Sequence, residues 1–196
     1  MDALWGRLEP ISRERLRAVE DGEMLRIGGL RIEALHTPGH ANHHVAYRVD
    51  GSVLTGDVGG VRMAGGPVVP PCPPPDIDLE AWRASIARLA ALDADALYLT
   101  HFGRVDDAGD HLEGLGRSLD AFAAWVRERL HRGVEEAALV SLFEAYTEGY
   151  LAAQGCGESV LARYGLANPA FMSVAGLARY WRRRGQLAAP SGEVPR

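Results

Sequence analysis

Lysine is absent from the 196 residues, so all 21 basic side chains are arginine. With 26 acidic residues the formal net charge is −5, which leaves no broad cationic surface for nucleic acid or an anionic membrane. Only two cysteines occur, Cys72 and Cys156, in unrelated contexts, and this excludes a disulfide framework. No apolar run approaches the roughly 18 residues that a membrane-spanning helix needs. The opening segment MDALWGRLEP has neither a basic n-region nor an apolar h-region, so no secretory signal is expected and a cytoplasmic location is the default. What remains, 47% hydrophobic and 24% charged residues, is the composition of a globular protein able to bury a core.

Hydrophobic patterning divides the chain. Residues 4–20 are polar and arginine-rich, a short helix or irregular lead-in. Period-two runs follow at Met24–Ile27 and Leu30–Leu35 around Gly28-Gly29, then at Val45–Val49 and Ser52–Thr55 around Asp50-Gly51. Both dipeptides suit tight hairpin turns, so a four-strand, mostly antiparallel meander is expected over about 24–56. The glycine- and proline-rich stretch after Asp57 reads as a long surface loop. A helix should start near Asp78, its N-cap, with Leu79, Trp82, Ile86 and Leu89 on one face. The apolar run Ala96–Thr100 reads as a buried strand ending at His101.

From about residue 111 the pattern is helical. One stripe comprises Leu115, Leu119, Phe122, Val126 and Leu130, and a second Leu139, Leu142, Phe143, Tyr146 and Tyr150. A third comprises Phe171, Val174, Ala178 and Trp181, and the stripes are closed by Gly133, Gly155 and Gly185. The cluster Arg182-Arg183-Arg184 complements the dipole of the last helix rather than marking a phosphate site. The tail AAPSGEVPR is expected to be disordered.

Four of the seven histidines, His36, His40, His43 and His44, share one loop bent by Pro38 and Gly39. Asp57 follows the strand Ser52–Thr55, and His101 ends the strand Ala96–Thr100. Imidazoles and a carboxylate at neighbouring strand ends are what a hydrolytic zinc, iron or manganese site requires: neutral nitrogens and one anion hold the ion, with positions left for water. Cys72, in PPCPPP, has no neighbouring base and is read as a loop residue.

The ordered strings HTPGHANHH, LTGD and LYLTHFG over roughly residues 20–105 resemble the second half of a metallo-β-lactamase-fold hydrolase. The resemblance implies an α/β fold, the C-terminal half of an αββα sandwich at 1–110, followed by an all-helical extension at 111–196. It further implies that His40 binds one metal, that His101 binds the other, and that Asp57 bridges both. The cofactor is then a pair of zinc ions, with iron or manganese as alternatives. The reaction is hydrolysis of an ester, thioester, lactam or lactone by a metal-activated hydroxide, on a small-molecule substrate.

The family's HxHxDH motif is absent, since no histidine precedes His36. By this resemblance Met1 corresponds to an internal position of a complete member. Each ion would then have one histidine and a shared aspartate, whereas a catalytic zinc normally takes three protein ligands and a water. The deficit stands unless His36, His43, His44 or a second chain contributes. His43 and His44 read as non-ligands and His36 as a supporting residue. His111 and His131 read as surface or packing residues. Two outcomes are expected: a hydrolase, with this chain a piece of a longer polypeptide or completed by a first-half polypeptide or a second copy of the chain, or a non-catalytic binding or oligomerisation module. In either case the sheet face meant for the missing half should be apolar and exposed.

Overall fold

The structure is a computed structural model and describes residues 9–101 and 103–185. The tail expected to be disordered, 188–196, lies outside the described residues, as do 4–8 of the lead-in. The rest of the lead-in contains only a short 3-10 turn at Arg13–Arg15.

One six-stranded sheet runs in sequence order through β1 (Met24–Ile27), β2 (Leu30–His36), β3 (Val45–Val49), β4 (Ser52–Val61), β5 (Ala96–His101) and β6 (Gly103–Val105). Both expected hairpins form. Ile27 faces Leu30 across a turn in which Gly28 has φ +59°, and Val49 faces Ser52 across a turn in which Asp50 has φ +51°. All neighbours pair antiparallel except β4 and β5, which are parallel and are linked through α1 (Leu79–Ala90). Asp78 caps α1 as expected, its Oδ1 accepting from the Ala81 N–H at 2.9 Å.

Two departures lie in the sheet. β4 does not stop at Thr55 but continues through the glycines to Val61. It can do so because Gly56 and Gly60 adopt positive φ, of +58° and +80°, so the strand bulges rather than breaks. Its register jumps from Gly56↔Leu99 to Val61↔His101, and the intervening residues form an arch. β6 was not expected; it turns back antiparallel at Gly103, whose φ is +82°.

The helical segment comprises α2 (Ala108–His131), α3 (Glu136–Ala152), α4 (Glu158–Ala167) and α5 (Ala170–Arg183). α2 begins three residues before the expected change of character at 111, and α4 was not foreseen. Of the proposed stripe residues, Leu142 and Phe171 are 48% and 59% exposed, while Leu151 and Leu177 take inward positions instead. Arg182 pairs with Glu136 of α3 at 2.5 Å and Arg184 pairs with Glu80 of α1, so these arginines tie helices together as well as closing α5. No described helix is long and apolar enough to cross a membrane.

The apolar core is continuous from Leu35, Val53 and Leu97 of the sheet, through Trp82 and Leu89 of α1, to Leu115, Phe122, Phe143 and Trp181 of the helical segment. Trp82 is fully buried, and truncating a side chain of this size in a core costs about 3–5 kcal/mol.

The helices cover one face of the sheet, where Val53, Leu97 and Val105 are buried in one cross-strand row. On the other face Tyr47, Leu54 and Tyr98 line up across β3, β4 and β5, and Ile27 sits opposite Leu30. There Ile27, Leu30, Leu54 and Tyr98 are 60%, 49%, 45% and 40% exposed. Among the described residues this face is apolar and uncovered, as expected of the meander.

Candidate metal centre

The structure brings His40, Asp57 and His101 together at one end of the sheet. His40 comes from the loop between β2 and β3, Asp57 from the start of the β4 arch, and His101 from the end of β5. Asp57 Oδ2 lies 3.5 Å from His40 Nε2, and Asp57 Oδ1 lies 3.3 Å from His101 Nε2. Each carboxylate oxygen thus faces one imidazole.

The loop that presents His40 is anchored by α1. The Asp78 N–H donates to the Gly39 carbonyl at 2.9 Å, and Ser85 Oγ donates to the Pro38 carbonyl at 2.7 Å. Gly39 has φ +135°, and a Cβ built there would lie 2.3 Å from Trp82 Cα, so only glycine lets loop and helix meet this closely. The His40 ring packs edge-on against Trp82 at 5.7 Å between centroids. Its Nδ1–H donates to the Pro71 carbonyl at 2.9 Å, which fixes the tautomer and leaves the Nε2 lone pair directed to the Asp57 side. Burial holds the His40 pKa below the ordinary histidine value, against the opposing pull of Asp57. The ring is therefore neutral, the form that binds metal.

The remaining loop histidines sort themselves by their hydrogen bonds. His44 Nδ1–H donates to Thr37 Oγ1 at 2.9 Å, and its Nε2 accepts the Val58 N–H at 3.3 Å, so both nitrogens are used within the fold. His36 is exposed and pairs through Nε2 with the Asn42 carbonyl at 2.9 Å. His43 is exposed at the rim of a cleft of about 410 Å³ that is also lined by His40, Asp57, Pro73–Pro75 and Asp76. His131 is exposed, whereas His111 is buried against the β4 arch. Cys72 is fully buried and its thiol pKa is pushed up by that burial, which makes it inert.

Whether these residues suit metal ions can be judged from two observations. Among the described residues Asp57 Oδ1 is buried without a hydrogen-bond partner, facing His101 Nε2 at 3.3 Å, an anionic oxygen held as if for a cation. Conversely, among the described residues no three histidine, cysteine or acidic side chains are grouped so as to hold one ion. The donor set therefore fits half of a two-ion site, with one imidazole on each side of a shared carboxylate. The Pro71 carbonyl and the arch geometry carry no sequence signal, so neither was foreseen.

Burial pushes the His44 pKa down to about 4 and also lowers that of His111. Their neutral forms are favoured in the folded state, so their contribution is complete above the unfolded value near 6.5 and is lost as pH falls toward 4. The urea midpoint is expected to fall between about pH 7 and 5.5, above the range where carboxylates titrate. A midpoint that stays level or rises over that window would contradict the buried, neutral assignment.

The family model for the metallo-beta-lactamase superfamily matches residues 4–101, half of the chain. A metallo-beta-lactamase fold-containing protein, ST1585 of Sulfurisphaera tokodaii, is 35% identical over 103 residues, 52% of this chain and 39% of that protein. Hydroxyacylglutathione hydrolase of Aeromonas hydrophila is 32% identical over 100 residues, 48% of this chain and 35% of that enzyme. The solved structure of ST1585 superimposes on 90% of this chain and 57% of its own, with a TM-score of 0.59 and 24% identity. A metallo-beta-lactamase family protein from Thermus thermophilus, TTHA1429, gives 85% and 49%, with a TM-score of 0.53 and 24% identity. The chain thus spans between about a third and three fifths of the length of these relatives. With the TPGH loop, the arch aspartate and the strand-end histidine in place on this fold, the chain belongs to the metallo-beta-lactamase superfamily.

Proposed function

We propose that the chain provides part of the active site of a metal-dependent hydrolase acting on a small-molecule ester, thioester, lactam or lactone in the cytoplasm. The observation that carries this reading is the Asp57 carboxylate set between His40 Nε2 and His101 Nε2, with its Oδ1 buried and without a hydrogen-bond partner among the described residues. The relative named as a hydroxyacylglutathione hydrolase supports a hydrolytic reaction. In this reading His40 and Asp57 hold one ion, His101 and Asp57 the other, and the remaining ligands come from an HxHxDH segment of a longer polypeptide, from a separate first-half polypeptide or from a second copy. Zinc is the metal of first choice, and iron or manganese would accept the same donors. When bound, such ions lower the pKa of water and polarise the electrophile. The chain's own contributions are to fix the His40 tautomer through Pro71, to place the shared carboxylate, and to wall the cleft with Pro73–Pro75.

The alternative, a scaffold that binds without catalysing, draws on the absence of three grouped ligands among the described residues. The two readings separate on the native protein, isolated with an antibody to the helical segment and assayed against the four substrate classes. Hydrolysis of at least one class, abolished by a chelator and restored by zinc, iron or manganese, is expected. Lack of hydrolysis with every metal would favour the scaffold.

The uncovered sheet face bears on the same reading, because an exposed apolar face of this kind associates. The purified chain is expected to scatter light as a species larger than its 21.2 kDa mass. A double change, Leu54→Glu with Tyr98→Glu, should return it to monomer. A monomeric unaltered chain would remove this face as a contact surface.

A further inference from the structure

His111 stands in the first turn of α2, outside the histidine loop and outside both strands of the candidate centre, and is only 2% exposed. Its Nε2–H donates to the Gly59 carbonyl at 2.8 Å, a contact spanning 52 positions of sequence. Nδ1 is then the bare acceptor of a neutral ring, and it is buried without a hydrogen-bond partner among the described residues. An imidazole with one nitrogen unsatisfied is a costly way to fill space, since an apolar side chain would fill it without that penalty. The bond to Gly59 is what distinguishes the position from packing.

Gly59 lies on the arch of β4, two residues beyond Asp57. The arch is poorly held by the sheet, because the register leaps from Gly56↔Leu99 to Val61↔His101 and the residues between have no strand partner. Its glycines cannot anchor it through side chains either. A Cβ at Gly59 would lie 2.1 Å from Thr55 Oγ1, and one at Gly60 would lie 2.7 Å from Val68 Cγ2. Instead, side chains from three separate parts of the chain bond two consecutive residues. His44 Nε2 accepts the Val58 N–H at 3.3 Å, Trp82 Nε1–H donates to the Val58 carbonyl at 2.9 Å, and His111 donates to the Gly59 carbonyl.

We propose that His111 is a positioning residue for the Asp57 carboxylate. By holding the Gly59 carbonyl it fixes the arch that sets Asp57 between His40 and His101, and it ties the helical segment to the candidate metal centre. The proposal rests on Asp57 serving as a metal ligand. It assigns α2 a task beyond covering the sheet.

Three variants of the full chain test it. His111→Gln retains an N–H donor near the place of Nε2, and His111→Leu fills the volume without one. Leu139→Ala opens the helical core, where Leu139 is fully buried, without touching the arch. Amide hydrogen exchange at residues 58–60 and titration with zinc chloride are the two readouts. His111→Leu is expected to speed exchange of the arch relative to the rest of the protein and to weaken zinc binding about tenfold, as loss of a group orienting a ligand does. His111→Gln should restore both, and Leu139→Ala should lower Tm while leaving both unchanged. Unaltered exchange and affinity in His111→Leu, no recovery in His111→Gln, or an equal loss in Leu139→Ala would overturn the proposal and leave His111 a packing residue. Should the unaltered chain bind no zinc, the metal reading fails by itself. Exchange then still decides whether His111 holds the arch: release by Leu and recovery by Gln uphold the contact, and their absence removes it.

Discussion

Replacing Asp57 by asparagine is expected to lower zinc affinity by at least about 100-fold while leaving the metal-free fold as stable as before. The two effects separate because the carboxylate is placed for charge and not for packing. Among the described residues Asp57 Oδ1 is buried without a hydrogen-bond partner, and its carboxylate meets His101 and His40 only at 3.3 and 3.5 Å, so the metal-free fold gains little from its anionic form. Asparagine keeps the shape, carries no charge, and brings an amide N–H that a neutral His40 Nε2, 3.5 Å from Oδ2, can accept. The shared anion between two ions is lost outright. Zinc titration against thermal unfolding of both proteins checks this. A large loss of stability in Asp57→Asn would show that the carboxylate is structural, and an unchanged affinity would show that it is not a ligand.

Gly39→Ala should be severely damaging for a single methyl group, costing about 4 kcal/mol or more and preventing folding if the margin is small. The new Cβ would lie 2.3 Å from Trp82 Cα and 2.5 Å from Trp82 N, both backbone atoms of α1 that cannot step aside. At φ +135° the residue also occupies a region that alanine avoids. The Gly39 carbonyl accepts the Asp78 N–H, so the helix cap and the loop that carries His40 would be disrupted together. Gly29→Ala is the control, because nothing lies within 4 Å of a Cβ there. Urea midpoints should show a large drop for the first and little change for the second. Equal midpoints would mean that loop and helix are not packed as described.

Much of this fold could be read from local chemistry. Gly28-Gly29 and Asp50-Gly51 specify two turns, and Asp78 marks a helix start that the structure confirms with a side-chain cap. The strings around His40, Asp57 and His101 led to the superfamily that the comparisons bear out. What escaped notice depends on contacts distant in sequence. Residues 58–61 look like loop because glycine dominates them, yet side chains from three other parts of the chain bond them into an arch. α4 was hidden because only Tyr164 on it is fully buried, its other core-facing residues Val160, Leu161 and Ala167 being half-buried, and Leu166 is 83% exposed. His111 has no local pattern that reveals its partner, which is a carbonyl 52 positions earlier. Leu142 and Phe171 fit a helical period but face outward, because the period alone does not say which edge of an apolar stripe the neighbouring helices cover.

If this chain holds half of a two-ion site centred on Asp57, its metal content must depend on that carboxylate and on ligands from outside residues 1–196. Zinc per chain should be measured by elemental analysis after desalting, on the purified chain, on its Asp57→Asn variant, and on the native protein isolated from its source. Expected are well under one zinc on the purified chain, weak binding on titration that vanishes in Asp57→Asn, and about two ions in the native protein once HxHxDH ligands are present, on the same polypeptide or on another. A purified chain that retains stoichiometric zinc through desalting, or zinc binding untouched by Asp57→Asn, would contradict the half-site.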